Sequence, residues 1–133
     1  MRRDALGFGA VKAGKKVYAL VRDMVEAARI VKCAGALHVQ VRNFDRAGML
    51  LQQAHQESPF LVILDLEHLE AEAFITLKDM RENADLKDVP AVGFVTQAKN
   101  MIKPEAEKAG CFRVYMKTEF GRELPDLLTR YAL

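Results

Sequence analysis

Tryptophan is absent from this chain, cysteine occurs twice and histidine three times, and these scarcities remove several chemistries at once. Cys33 and Cys111 lie far apart and form no CxxC pair, so neither a disulfide framework nor a thiolate metal site is indicated. Both fall in apolar stretches and are expected to be buried free thiols. His38, His55 and His68 are scattered over a loop, a helix and a strand-helix loop with no ligand spacing, and read as surface residues rather than a metal site. No apolar run approaches the roughly 18 residues of a membrane span, and Met1-Arg2-Arg3-Asp4 is not followed by a hydrophobic signal core, so a cytoplasmic protein is expected. No glycine-rich phosphate loop follows Val21, which argues against a nucleotide enzyme. Ser/His/Asp or Cys/His arrangements at interpretable spacing are also missing.

What is present fits one domain: 133 residues, half of them hydrophobic and 29% charged. Charge is unevenly spread. Residues 1–16 carry five Lys/Arg against one acid, and the remainder is slightly acidic although the whole chain is +2. The body is therefore not a nucleic-acid surface. Residues 1–14 are expected to be a basic, flexible leader and 15–133 the folded domain.

The hydrophobic pattern alternates between strand and helix. Val17 to Val21 reads as a strand; Met24 to Leu37 as a helix burying Met24, Ala27, Ala28, Val31, Ala34 and Leu37. Val39-Gln40-Val41 is a second strand, and Asp45 is placed to cap a helix over Arg46 to Gln56 with Met49, Leu50 and Ala54 inward. The unbroken run Phe60-Leu61-Val62-Ile63-Leu64 after Ser58-Pro59 is a strand covered on both faces, and it ends on Asp65. A helix over Ala71 to Arg81 burying Phe74, Leu77 and Met80 follows, then a strand over Ala91 to Val95 opened by Pro90. Residues 97–102 are a loop or an interrupted helix, because Pro104 fits only a first turn. Gly110 supplies a left-handed stop before a strand over Phe112 to Met116 and a last helix facing inward with Leu124, Leu127, Leu128 and Tyr131. Five strands alternating with five helices predict a doubly wound parallel sheet in the order 2-1-3-4-5. In such a sheet the carboxyl ends of the strands form the ligand crevice, which makes Asp65 either a functional acid or a simple N-cap.

Three segments together resemble the receiver domain of response regulators: Pro59-Phe60-Leu61-Val62-Ile63-Leu64-Asp65-Leu66, Leu86-Lys87-Asp88-Val89-Pro90, and Ala109-Gly110-Cys111 with Val114-Tyr115-Met116-Lys117. The resemblance covers Lys15 to Leu133 and implies a flavodoxin-like (βα)5 fold with Asp65 at the phosphoacceptor position and Lys117 beside it. It also implies signalling partners, namely a histidine kinase, a phosphotransfer protein or an output protein, met through the fourth helix, fifth strand and last helix. Met101 and Ile102 fit an exposed patch there, with core packing as the simpler account of both, and homodimerisation is one route of action. Nucleic acid, membrane and catalytic turnover are not expected.

The sequence departs from the receiver pattern where the chemistry is carried. The family holds Mg²⁺ on an acidic pair after the first strand; here Arg22 and Asp23 stand there in one register, Val21 and Arg22 in the other, and the pair is intact in neither. Asp23 and Asp65 are the remaining metal candidates. Thr96 lies one residue past the expected switch hydroxyl, leaving Val95 in its place unless the strand bulges; Val114 replaces the switch aromatic and Thr118 the proline after the lysine. These departures imply an atypical receiver, a pseudoreceiver, whose Asp65 is paired with Lys117, with the guanidinium of Arg22 standing in for the metal, or with both. Mg²⁺ is expected only if the domain is instead a phosphorylation-competent regulator. A flavodoxin-like small-ligand or enzyme domain is a third reading. Asp65-Leu66-Glu67 also bears a faint likeness to the acid-x-acid of haloacid-dehalogenase phosphatases, which carry it on their first strand and with two aspartates.

Overall fold

The computed structural model describes residues 15–132, so the basic leader 1–14 lies outside the described residues. The strands are β1 (Lys16–Leu20), β2 (Gln40–Phe44), β3 (Leu61–Asp65), β4 (Ala91–Val95) and β5 (Arg113–Met116). The helices are α1 (Met24–Ala36), α2 (Ala47–Gln56), α3 (Glu70–Glu82), α4 (Lys103–Lys108) and α5 (Lys117–Ala132), with a 3-10 segment at Gln97–Ile102. All pairings are parallel and the strand order is 2-1-3-4-5. The expected fold is thus the observed one.

Alternation along the strands feeds two cores. Val17 and Ala19 of β1, with Leu61 and Ile63 of β3, pack under Ile30, Ala34, Leu124, Leu127 and Leu128 of α1 and α5. Tyr18, Leu20, Val62 and Leu64 face Leu50, Ala54, Leu77, Met80 and Ala106 of α2, α3 and α4. Every residue of β3 is buried, and a fully buried Leu or Ile contributes about 1.5–3 kcal/mol, so this strand is anchored from both sides. Its last residue therefore has little freedom in position.

Several faces differ from the periodicity. In α1 the inward residues are Glu26, Ile30 and Ala34, whereas Met24 is 84% and Val31 56% exposed. The stripe is shifted because a carboxylate occupies one of its positions. In α2, Met49 points outward and Asp45 does not cap; the first amide, on Ala47, donates to Glu72 Oε1 of α3 at 2.6 Å. Residues 97–102 form an interrupted helix with Lys99 non-helical, and Pro104 sits in the first turn of α4. Gly110 has φ of 114°, and a Cβ there would lie 2.6 Å from Arg81 Cγ. Met101 is exposed, as a patch residue would be, whereas Ile102 is buried in the core.

Candidate functional site

At the carboxyl ends of β1 and β3 the chain must turn sharply, and one side chain fixes each turn. Asn43, at the end of the neighbouring β2, donates Nδ2 to Val21 O at 2.9 Å and accepts from Val21 N at 3.1 Å. This two-point clamp holds the loop after β1 with its next two amides aimed across the crevice. Both reach Asp65: Arg22 N and Asp23 N each lie 3.1 Å from its Oδ2. On the other side Asp65 Oδ1 accepts from Glu67 N at 3.1 Å and His68 N at 3.0 Å, an arrangement that folds the loop after β3 back on its own aspartate. The His68 ring adds a further contact, Nδ1 to Oδ2 at 3.2 Å. Asp65 is fully buried, and its four main-chain contacts all come from N–H donors, which a carboxylate accepts.

The two expected cation partners are elsewhere. Lys117 hydrogen-bonds Asp23 Oδ2, not Asp65. That hydrogen bond holds the Asp23 carboxyl below the usual carboxylate range and raises the Lys117 ammonium in return. Asp23 also caps α1, its Oδ1 accepting from Val25 N at 3.0 Å and Glu26 N at 3.1 Å. The Arg22 side chain is exposed and pairs with no acid among the described residues; Arg22 reaches Asp65 only through its main-chain amide. An exposed guanidinium keeps its hydration, whereas the amide has no other acceptor in that turn.

Thr96 lies where the sequence places it, one residue past the end of β4. β4 pairs without a bulge, from Val62↔Ala91 to Asp65↔Phe94 and on to Val95↔Met116, so Val95 ends the strand and Thr96 lies beyond it. Both Thr96 N and Oγ1 donate to Glu67 Oε1 at 2.8 Å. Lys99 Nζ reaches the main-chain oxygen of Glu67 at 2.9 Å and lies 3.8 Å from Glu70 Oε1. Glu67 thus joins the loop after β3 to the loop after β4. In the sequence Glu67 carries only the faint acid-x-acid likeness and His68 reads as a surface residue, since a polar residue two or three places after a strand end is ordinary loop composition. Of the other histidines, His55 bonds Asp79 at 3.1 Å and is pushed upward by that contact, away from the crevice.

Beside Lys117 an open cavity of about 490 Å³ is lined by Glu26, Arg29, Thr96, Gln97, Met116, Lys117 and Thr118. Burial pushes the Glu26 carboxyl up, while Arg29 Nη1, 3.2 Å from both of its oxygens, opposes that shift. Arg29 reaches over α5 where Gly121 leaves room; a Cβ there would be 2.6 Å from Nη1.

A hard divalent cation needs several oxygens with free lone pairs. Asp23 gives its two oxygens to Lys117 and the α1 amides, Asp65 is surrounded by donors, and the Glu67 carbonyl is taken by Lys99. No group of three or more His, Cys, Asp or Glu among the described residues is placed to hold a metal ion. In this arrangement the oxygens of Asp23 and Asp65 and the Glu67 carbonyl are already engaged by N–H donors.

Solved structures with this architecture are numerous. A response regulator of Hahella chejuensis matches with a TM-score of 0.77 and 20% identity over 88% of this chain and 94% of its own. The chemotaxis response regulator CheY4 of Vibrio cholerae matches at 0.73 and 18%, over 90% and 98%. The fold is that of response-regulator receivers. A third, from Burkholderia multivorans, scores 0.71 at 15% identity, over 90% and 95% of the two chains. At such identities the likeness to receivers is one of fold. No protein-family model and no curated sequence matches the chain.

Proposed function

We propose that the chain is a receiver-fold signalling module that acts by binding another signalling protein, a histidine kinase, phosphotransfer or output protein, without Mg²⁺-dependent phosphorylation of Asp65. One observation carries this reading: Asp65 is fully buried under four main-chain amides and the His68 ring, while Lys117 is committed to Asp23. A carboxylate so enclosed has no lone pair directed at an incoming phosphoryl group, and phosphoryl transfer depends on such positioning and on charge neutralisation. The contact face in this reading comprises α4, β5 and α5. Two large apolar side chains exposed to water flank it in sequence: Met101, 80% exposed in the 3-10 segment before α4, and Phe112, 62% exposed directly before β5.

The test is calorimetric titration with millimolar Mg²⁺, followed by amide NMR with beryllofluoride and Mg²⁺ present. No saturable binding and an unchanged spectrum are expected. Saturable Mg²⁺ binding, with shifts that run from Asp65 to α5 and vanish in Asp65→Asn, would transfer the protein to the phosphorylation-competent reading.

A further inference from the structure

Two carboxylates are buried among the described residues, and their surroundings differ sharply. Asp65 accepts from four main-chain amides, whereas the Glu26 side chain accepts only from Arg29 among the described residues. That contact is a single nitrogen shared between both Glu26 oxygens at 3.2 Å each, the long end of the hydrogen-bond range. An ionised carboxylate has about four lone-pair sites, so most of the acceptor capacity of Glu26 is left over. Burial makes that costly, since a buried charge is stable only when well paired.

The spare capacity faces the cavity of about 490 Å³, which Glu26 lines together with Arg29, Gln97, Met116, Lys117 and Thr118. Its volume lies in the ordinary range of small-molecule sites. Lys117 has three N–H donors and gives one to Asp23, so two remain for the cavity. The cavity also borders the first turn of the 16-residue α5, where the helix dipole favours negative charge. One side therefore accepts N–H groups and the other donates them. A simple amine would suit Glu26 but meet Lys117 and Arg29 as like charges, and a simple carboxylate would suit Lys117 but bring another anion against Glu26 and Asp23. A molecule carrying both charges avoids both repulsions.

We infer that this cavity is a binding site for a zwitterionic α-amino acid, its ammonium on Glu26 and its carboxylate on Lys117 and Thr118. Arg29 is a positioning residue, holding the Glu26 carboxylate from the far side in the space that Gly121 leaves on α5. Met116 gives the ligand's side chain an apolar surface. The site goes beyond the protein-binding role and does not depend on it.

Glycine, L-alanine, L-glutamine and L-methionine are each titrated to millimolar concentration into the ¹⁵N-labelled full chain without Mg²⁺, and followed by amide NMR. Acetate, methylamine and glycine betaine, which carries both charges but no N–H, are titrated alongside. At least one of the four amino acids should shift the amides of Glu26, Gln97, Lys117 and Thr118 saturably, with each control binding at least about tenfold more weakly. Glu26→Gln, which removes the charge that holds the ammonium, should weaken the amino acid at least about tenfold. Thr118 is exposed, so Thr118→Phe crowds the cavity without entering the core and should weaken binding as much, even if Glu26→Gln fails to fold. No saturable shift from any of the four amino acids, a control within about tenfold of the best of them, or a smaller loss in Thr118→Phe or in folded Glu26→Gln would each overturn the proposal. None of these measurements reads Asp65, so the protein-binding reading stands or falls by the Mg²⁺ titration alone.

Discussion

Replacing Asp65 by asparagine preserves the size of the side chain and halves its acceptor capacity. The hydrogen bonds around Asp65 make this substitution costly. The amide oxygen can serve one pair of donors, either Glu67 N and His68 N or Arg22 N and Asp23 N; the amide nitrogen then faces the other pair. Two main-chain N–H groups are left opposite a donor. Each unsatisfied buried donor costs about 1–3 kcal/mol, and the part-buried setting of these four amides favours the lower half of that range. The expected loss is about 2–4 kcal/mol, a large share of the roughly 5–15 kcal/mol that holds a domain together. Urea denaturation followed by circular dichroism measures it as a lower midpoint at unchanged slope. A loss below about 0.5 kcal/mol would mean that water replaces the carboxylate at no cost and that Asp65 does not organise the two loops.

Two further outcomes follow from the same framework. Lys117→Met should remove the Asp23 pairing and cost about 1 kcal/mol at neutral pH. The sign of its pH dependence follows from the partners. Asp23 is held low, so its contribution is present above the unfolded carboxylate value of about 3.9 and fades as pH falls through the lower folded value; Lys117 is held high, so its contribution is present below about 10.4 and fades as pH rises through the folded value. Denaturation at pH 7 and pH 3 should show a smaller acid loss in the variant than in wild type, and equal losses would refute the pairing. Gly110→Ala should destabilise by about 1–3 kcal/mol, since φ is 114° and the new methyl meets Arg81; a thermal midpoint at or above wild type would contradict that geometry.

The sheet was legible because buried parallel strands announce themselves as unbroken apolar runs, and β3 with its terminal Asp65 is the clearest. Helix faces were less so. Glu26 lies in the inward stripe of α1 against Arg29, and a hydropathy count cannot place a glutamate there, so it moved the predicted face onto Met24 and Val31. The cap of α2 comes from Glu72, which only the packing of α2 on α3 brings near. At the site, the order of residues identified Asp23, Asp65 and Lys117 but not the pairing among them. That choice depends on the clamp of Asn43 on Val21, which turns the loop's amides, and no cation, towards Asp65.

Glu67 carries a consequence for anything that touches the far side of the crevice. Its amide rests on Asp65, its carboxylate holds Thr96, and its carbonyl holds Lys99 two residues before the exposed Met101. The loop after β3 and the segment after β4 are therefore one mechanical piece, hinged on a single side chain. A partner that grips Met101 and drags the 3-10 segment out of place must work against the Asp65–Glu67 contact, and by thermodynamic reciprocity whatever frees Glu67 at Asp65 raises that partner's affinity by the same factor. The coupling has no need of a hydroxyl at the end of β4, where this chain has Val95.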